Sequence, residues 1–132
     1  MLGNRDLIAF AATADAERAK AFYSSTLGLR LIEDMPFALV FDAAGTPLRV
    51  AKVAEVAPAP YTILGWSVPD MGEAVRGLAG MGVVFERYAG MPQDEHGVWI
   101  TPDGARVAWF KDPDGNVLSL TQFAPRREGG NA

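Results

Sequence analysis

The sequence predicts an α+β fold: two tandem βαβββ modules forming a curved mixed sheet around a cleft. Three recurrences predict it. The candidate helix caps Asp15 and Asp70 stand 55 residues apart. The glycines that should close those helices, Gly28 and Gly82, stand 54 apart. A D-x-x-G turn occurs at Asp42–Gly45 and again at Asp112–Gly115, 70 apart, with the extra residues falling in 90–104. One module covers only one face of its sheet with a helix and cannot bury the other alone. Two can pack side by side, whereas a solenoid needs three or more repeats.

In the first module, residues 6–13 (DLIAFAAT) are apolar and strand-like. Asp15, a good N-cap residue, opens a helical stretch in which Ala19, Phe22, Tyr23 and Leu27 recur at helical spacing, and Gly28 sits at its C-cap. Three β-rich runs follow at 29–34, 37–42 and 47–53, the last two joined by an AAG turn at 43–45. A proline-rich break at 56–60 separates the halves.

The second module repeats the order. Residues 61–68 (YTILGWSV) are strand-like. Asp70 and Glu73 form a D-x-x-E capping box, and Met71, Ala74, Val75, Leu78 and Met81 supply the helix's apolar face up to Gly82. Residues 83–88 (VVFERY) read as a strand, 90–97 as a loop and 98–101 as a short strand. Residues 105–111 and 116–123 read as a hairpin around the DPDG turn. Asp112 and Asp114 are carboxylates by type, but Asp-Pro-Asp-Gly is turn chemistry: Asp bonds nearby backbone, Pro fixes φ and Gly supplies positive φ. The expected organisation is one domain over 1–132, with modules at 6–55 and 61–124 and a tail at 125–132.

Composition excludes several functions. No cysteine is present, so disulfides, thiolate metal sites and cysteine nucleophiles are excluded. One histidine excludes a multi-histidine metal site. Twelve cations are scattered among sixteen anions, for a net charge of −4, which argues against a nucleic-acid partner. No apolar run approaches the ~20 residues that span a bilayer, so no membrane partner is expected. No signal-peptide pattern opens the chain, and a cytoplasmic protein is expected. P-loop, dinucleotide and G-x-S-x-G patterns are absent.

AERAKAFYSSTLGL in the first half and WFKDPDGNVLSL in the second resemble the vicinal oxygen chelate superfamily, which holds glyoxalases, extradiol dioxygenases and bleomycin and fosfomycin resistance proteins. The resemblance covers about residues 6–124 and implies the fold, not the reaction. It also implies one divalent metal held by four strand side chains, typically His or Gln, Glu, His and Glu. Counting from the motifs puts those positions at Ile8, Arg49, Leu64 and Ser119. Ile and Leu offer no donor, Ser is a weak neutral ligand and Arg carries a fixed positive charge. Neither a metal nor any other cofactor is therefore expected.

Strand alternation in phase with those positions puts Ile8, Phe10 and Ala12, Arg49 and Ala51, Thr62, Leu64 and Trp66, and Val117, Ser119 and Thr121 on the cleft side. Leu7, Ala9, Ile63, Leu118 and Leu120 should pack under the helices. The ligand-binding candidates are Arg49, Trp66, Ser119, Phe10, Leu64, Ile8 and Thr121: an apolar, aromatic cleft with a guanidinium that grips a carboxylate or phosphate. Arg49 has a second reading, pairing with Glu33 or Asp42. His96, in QDEHG, is either a lid-borne acid/base group or a solvated loop residue, and is the sole catalytic candidate. The expected function is binding of a small anionic or aromatic molecule in a metal-free cleft. The alternatives are a lyase, isomerase or dioxygenase using that cleft, and a non-catalytic module whose own side chains fill it. A homodimer is implied by the resemblance.

Overall fold

A computed structural model describes residues 1–125. Beyond Pro125, the expected tail lies outside the described residues. The described residues divide into two compact units: Met1–Leu64 with Lys111–Val117, and Gly65–Phe110 with those from Leu118 to Pro125. No helix among the described residues is long and apolar enough to cross a membrane.

The first unit contains β1 (Ala9–Thr13), α1 (Ala16–Ala21), β2 (Arg30–Asp34), β3 (Ala38–Ala43) and β4 (Thr46–Lys52). Its strands lie in the order β1-β4-β3-β2. β1 runs parallel to β4, and the β3 pairings with β4 and β2 are antiparallel. Asp15 caps α1 by accepting from Arg18 N–H, 3.2 Å away. The helix then widens into a π-helical turn over Phe22–Thr26, closed by Leu27 N–H donating to Phe22 O at 2.9 Å. Ala19 and Tyr23 are buried here, and the Tyr23 ring meets Phe41 of β3 at 5.7 Å. Leu39, Phe41, Leu48, Val50, Ala11 and Thr13 complete this core. The AAG turn takes positive φ at Ala44 and Gly45, 52° and 93°, and Gly45 N–H donates to Asp42 Oδ1 at 2.9 Å. That is the mirror-image geometry which suits a two-residue hairpin.

The DPDGN turn packs in this first unit although it closes the last hairpin of the chain. Asp112 Oδ1 accepts from the N–H groups of Asp114 and Asn116, each at 2.9 Å. Its Oδ2 accepts from the Tyr23 hydroxyl at 2.7 Å and from Asn116 Nδ2 at 2.8 Å. Asn116 Nδ2 also donates to Ala12 O at 3.0 Å, and Asp114 Oδ1 accepts from Ala14 N–H at 2.9 Å. The aspartates are turn residues, as their sequence context indicates. The turn also fastens β1 and the end of the first helix.

The second unit repeats the pattern. β5 (Thr62–Ser67), which begins before the unit boundary, is followed by α2 (Met71–Gly80), β6 (Trp99–Ile100), β7 (Arg106–Lys111) and β8 (Val117–Gln122). The strand order is β5-β8-β7-β6, the same permutation as in the first sheet. Asp70 caps α2 by accepting from Glu73 N–H at 3.1 Å, and Gln122 Oε1 accepts from Met71 N–H at 2.7 Å. Met71 and Val75 of α2 are buried, as are Ala108, Phe110, Leu118 and Leu120 of the sheet.

Three expectations are corrected. Residues 83–88 are not a strand. Glu86 N–H donates to Trp109 O at 2.8 Å, but the Gln93 side chain stands in for further strand partners. Its amide accepts from Tyr88 N–H at 2.8 Å and donates to Glu86 O at 2.9 Å. The strand after α2 is therefore Trp99–Ile100. Met81 follows the last helical turn and is 54% exposed rather than part of the apolar face. Leu7 precedes β1 and, at 76% exposure, does not pack under a helix.

Candidate functional site

The open face of the first sheet can be built row by row from the strand register. Paired residues point to the same side of a sheet. Phe10 pairs with Arg49, Arg49 with Val40 and Val40 with Glu33, so these four form a row across all four strands. The adjacent row is Ala12, Ala51 and Ala38. Ala12 and Ala51 there are half-buried and leave a low floor beside the taller Phe10 and Arg49 side chains, whereas Ala38 is already covered. Residues of the other phase, such as Leu39, Phe41, Leu48 and Val50, are buried. Phe10 is 60% exposed, and Ile8, just before β1, is 47% exposed. Ile8 is in phase with Phe10.

Arg49 is half-buried in this row. Its Nη2 lies 3.9 Å from the Met35 thioether sulfur, a weak acceptor. Neither proposed carboxylate partner is engaged with it. Asp42 faces Arg30 at 3.7 Å, and among the described residues no carboxylate forms an ion pair with Arg49. Asp34, on the same edge strand as Glu33, is held by Lys52 at 2.6 Å and Lys20 at 3.0 Å. The charge of Arg49 is thus left available on an apolar surface.

In the second sheet, Ser119 is 7% exposed on the central strand β8. A Cβ at Gly65 would lie 3.0 Å from the Ser119 hydroxyl, so Gly65 and Ser119 share a face. Val68 N–H donates to Thr121 O at 2.9 Å, which fits the same register. Alternation then places Thr121 with Ser119, and turns Leu64 and Trp66 to the opposite face, that of Leu118 and Leu120. The expectation that Leu64 and Trp66 share a face with Ser119 is corrected. Along β5, Ile63 is in phase with Gly65. Leu64 and Trp66 are each half-buried.

An aromatic wall that sequence reading did not assemble stands beside β7. The Trp109 ring stacks on Trp99 at 6.2 Å and meets Tyr88 edge-on at 5.4 Å. Tyr88 titrates above its ordinary value because of burial and the nearby charge of Glu86. The rings come from three separated stretches, so no local pattern announces them.

His96 is exposed, with Nε2 3.6 Å from Glu95 Oε1. Its loop is pinned: Asp94 Oδ1 accepts from His96 N–H at 2.8 Å and from Val98 N–H at 2.9 Å. His96 lines a groove with Met71, Gly72, Val75, Arg76, Asp94, Val98 and Arg106. His96 belongs to the second unit and the Phe10–Arg49 row to the first.

The fold and these faces set the context for comparison with known proteins. The family model for the Glyoxalase/Bleomycin resistance protein/Dioxygenase superfamily matches residues 7–120. The chain belongs to this superfamily. No curated protein matches it significantly. Among solved structures, the superfamily's fold recurs in TnmS3, an antibiotic binding protein from Streptomyces sp. CB03234, with 26% identity and a TM-score of 0.69, over 94% of this chain and 99% of that one. It recurs in a superfamily member from Sphaerobacter thermophilus, with 26% identity and a TM-score of 0.68, over 89% of this chain and 97% of that one. FosX, the genomically encoded fosfomycin resistance protein of Listeria monocytogenes, matches at 15% identity and a TM-score of 0.68, over 89% of this chain and 92% of that one.

The residues here do not fit the divalent metal that the superfamily resemblance implies. Ile8 and Leu64 carry no donor atom, Arg49 brings a positive charge and Ser119 offers one neutral oxygen. Replacing Leu64 by its neighbour Ile63 in that set adds no donor. Among the described residues, no group of three or more His, Asp or Glu side chains is placed to hold a metal.

Proposed function

We propose that this superfamily member binds a small aromatic or anionic molecule on the open face of its first sheet, without a metal ion. One observation carries the reading: the Arg49 guanidinium is half-buried beside Phe10, with a thioether rather than a carboxylate as its neighbour. A guanidinium presents paired donors to a carboxylate or phosphate, and both hydrogen bonds strengthen as water is excluded. Phe10 supplies a ring face for stacking. Ala12 and Ala51 supply the floor on which a flat ligand body can lie, at about 25 cal/mol per Å² of apolar surface removed from water. Ile8 extends that apolar surface. Ser119 and Thr121 are the polar candidates on the second sheet. Leu64 and Trp66, turned away from Ser119, contribute less directly.

The antibiotic-binding description of TnmS3 supports sequestration over turnover as the mode of action. A cytoplasmic homodimer is the form we expect, and light scattering of the purified chain tests the pairing.

The test is a thermal-shift and calorimetric screen of aromatic carboxylates against their methyl esters. The wild-type protein is expected to prefer an acid over its ester by at least about tenfold, or 1.4 kcal/mol. Arg49→Met should erase that preference while leaving ester binding in place. Equal loss for acids and esters makes Arg49 structural, and no stabilisation by any compound favours a face filled by the protein itself.

A further inference from the structure

The groove in the second unit has no part in the binding reading above. Its floor is the buried side chains of Met71, Val75 and Val98. Its rim is Arg76, Arg106 and His96. The Arg76 guanidinium folds back over Gly72, where a Cβ would lie 3.2 Å from its Nη1. Arg106 enters from β7 and His96 from the pinned loop. Two cations and a titratable imidazole therefore converge from three separate stretches of a chain whose net charge is −4.

The one carboxylate among the lining residues does not neutralise them. Asp94 directs Oδ1 to the N–H groups of His96 and Val98, and among the described residues neither arginine forms an ion pair with it or with any other carboxylate. Two guanidiniums converging on one groove repel, and a bound anion relieves that repulsion. Asp70 Oδ1 lies 3.5 Å from the same Gly72 Cβ position and Glu95 Oε1 faces His96 Nε2 at 3.6 Å, yet neither carboxylate is within ion-pair distance of Arg76 or Arg106, so both guanidiniums keep donors for an anion.

We infer that this groove binds a phosphoryl group, carried on a small organic body that rests on Met71, Val75 and Val98. A phosphate monoester brings two negative charges and three strong acceptor oxygens, enough to engage both guanidiniums and the His96 ring N–H together. A single carboxylate has too few oxygens to satisfy both arginines bidentately. The apolar floor favours a monoester over free phosphate, because inorganic phosphate gains nothing from Met71 or Val98.

The experiment is an amide-resolved NMR titration of the full chain at low ionic strength, with phenyl phosphate in one arm and inorganic phosphate in the other. Shifts confined to Gly72, Arg76, His96 and Val98 are expected, with phenyl phosphate binding at least threefold tighter than inorganic phosphate. The Arg76→Gln, Arg106→Gln double variant should weaken both by tenfold or more, and Arg→Lys changes should recover part of the loss. Equal affinity in the two arms assigns the groove to free phosphate and removes the organic body from the inference. Shifts elsewhere, or binding by the double variant within twofold of wild type, overturn it. The double variant should still discriminate aromatic acids from esters, so failure here and failure of the Arg49 reading are read separately.

Discussion

The Tyr23 hydroxyl donates to Asp112 Oδ2 across 2.7 Å, joining two buried residues 89 positions apart in the chain. The bond ties the end of the first helix to the turn of the last hairpin. Tyr23→Phe keeps the ring against Phe41 but leaves Asp112 Oδ2 with Asn116 Nδ2 alone. Loss of one donor to a buried carboxylate costs about 1–3 kcal/mol. Equilibrium urea unfolding should show that loss as a lower midpoint with an unchanged slope. A Tyr23→Phe midpoint equal to that of wild type would contradict this role.

The same phenol predicts a pH dependence. Burial, and then the charge of Asp112, push the Tyr23 hydroxyl well above its ordinary value. The folded state therefore keeps the proton, while the unfolded chain releases it near pH ~10. The contribution is complete below that pH and is lost as pH rises above it, at about 1.4 kcal/mol per pH unit. Unfolding measured from pH 9 to 11.5 should fall more steeply for wild type than for Tyr23→Phe. Parallel curves would refute the assignment.

The Gln93 amide does for residues 86–97 what a neighbouring strand would do. It bonds Tyr88 N–H, Glu86 O and Gly97 O, at 2.8, 2.9 and 2.8 Å. Gln93→Ala leaves those backbone groups without it, at a local cost of about 1–3 kcal/mol. Hydrogen exchange at Tyr88 should accelerate while exchange in β8 stays as in wild type. Unchanged protection at Tyr88 would show that the side chain is dispensable.

Gly65 and Ser119 share a face so closely that a Cβ at Gly65 would lie 3.0 Å from the Ser119 hydroxyl. Gly65→Ala should cost about 1–3 kcal/mol through overpacking. Ser119→Ala removes the oxygen in the way and should recover part of that cost. A double-mutant cycle is expected to give a coupling above about 0.5 kcal/mol. Simple additivity would mean the two side-chain directions have been misassigned, and with them the facing of Leu64 and Trp66.

Local chemistry made much of the fold legible. Asp15 and Asp70 cap helices because their side chains reach the third residue on, and Gly45 and Gly115 turn because they adopt positive φ. The common facing of Phe10 and Arg49 was legible from alternation along β1 and along β4, two strands that pair in parallel although α1, β2 and β3 separate them in sequence. The third strand position was not. A count of six residues back from Asp70 lands on Leu64, whereas the 55-residue spacing that relates the caps carries Ile8 to Ile63, in phase with Gly65 and Ser119. Residues 83–88 alternate like a strand, yet beyond the Glu86–Trp109 bond Tyr88 N–H and Glu86 O are met by a glutamine side chain, which no periodicity encodes. The Tyr88–Trp99–Trp109 wall and the Arg76–Arg106–His96 rim are assembled by tertiary packing from distant stretches, so no local spacing reveals them.

The central claim is that a guanidinium stands where the superfamily resemblance places a metal ligand. Metal analysis of untagged protein, after incubation with zinc, nickel and ferrous iron and removal of the excess, tests it most directly. Well under 0.1 metal ion per chain is expected, for wild type and Arg49→Met alike. A retained stoichiometric ion, lost on substitution at Arg49 or Ser119, would contradict the account.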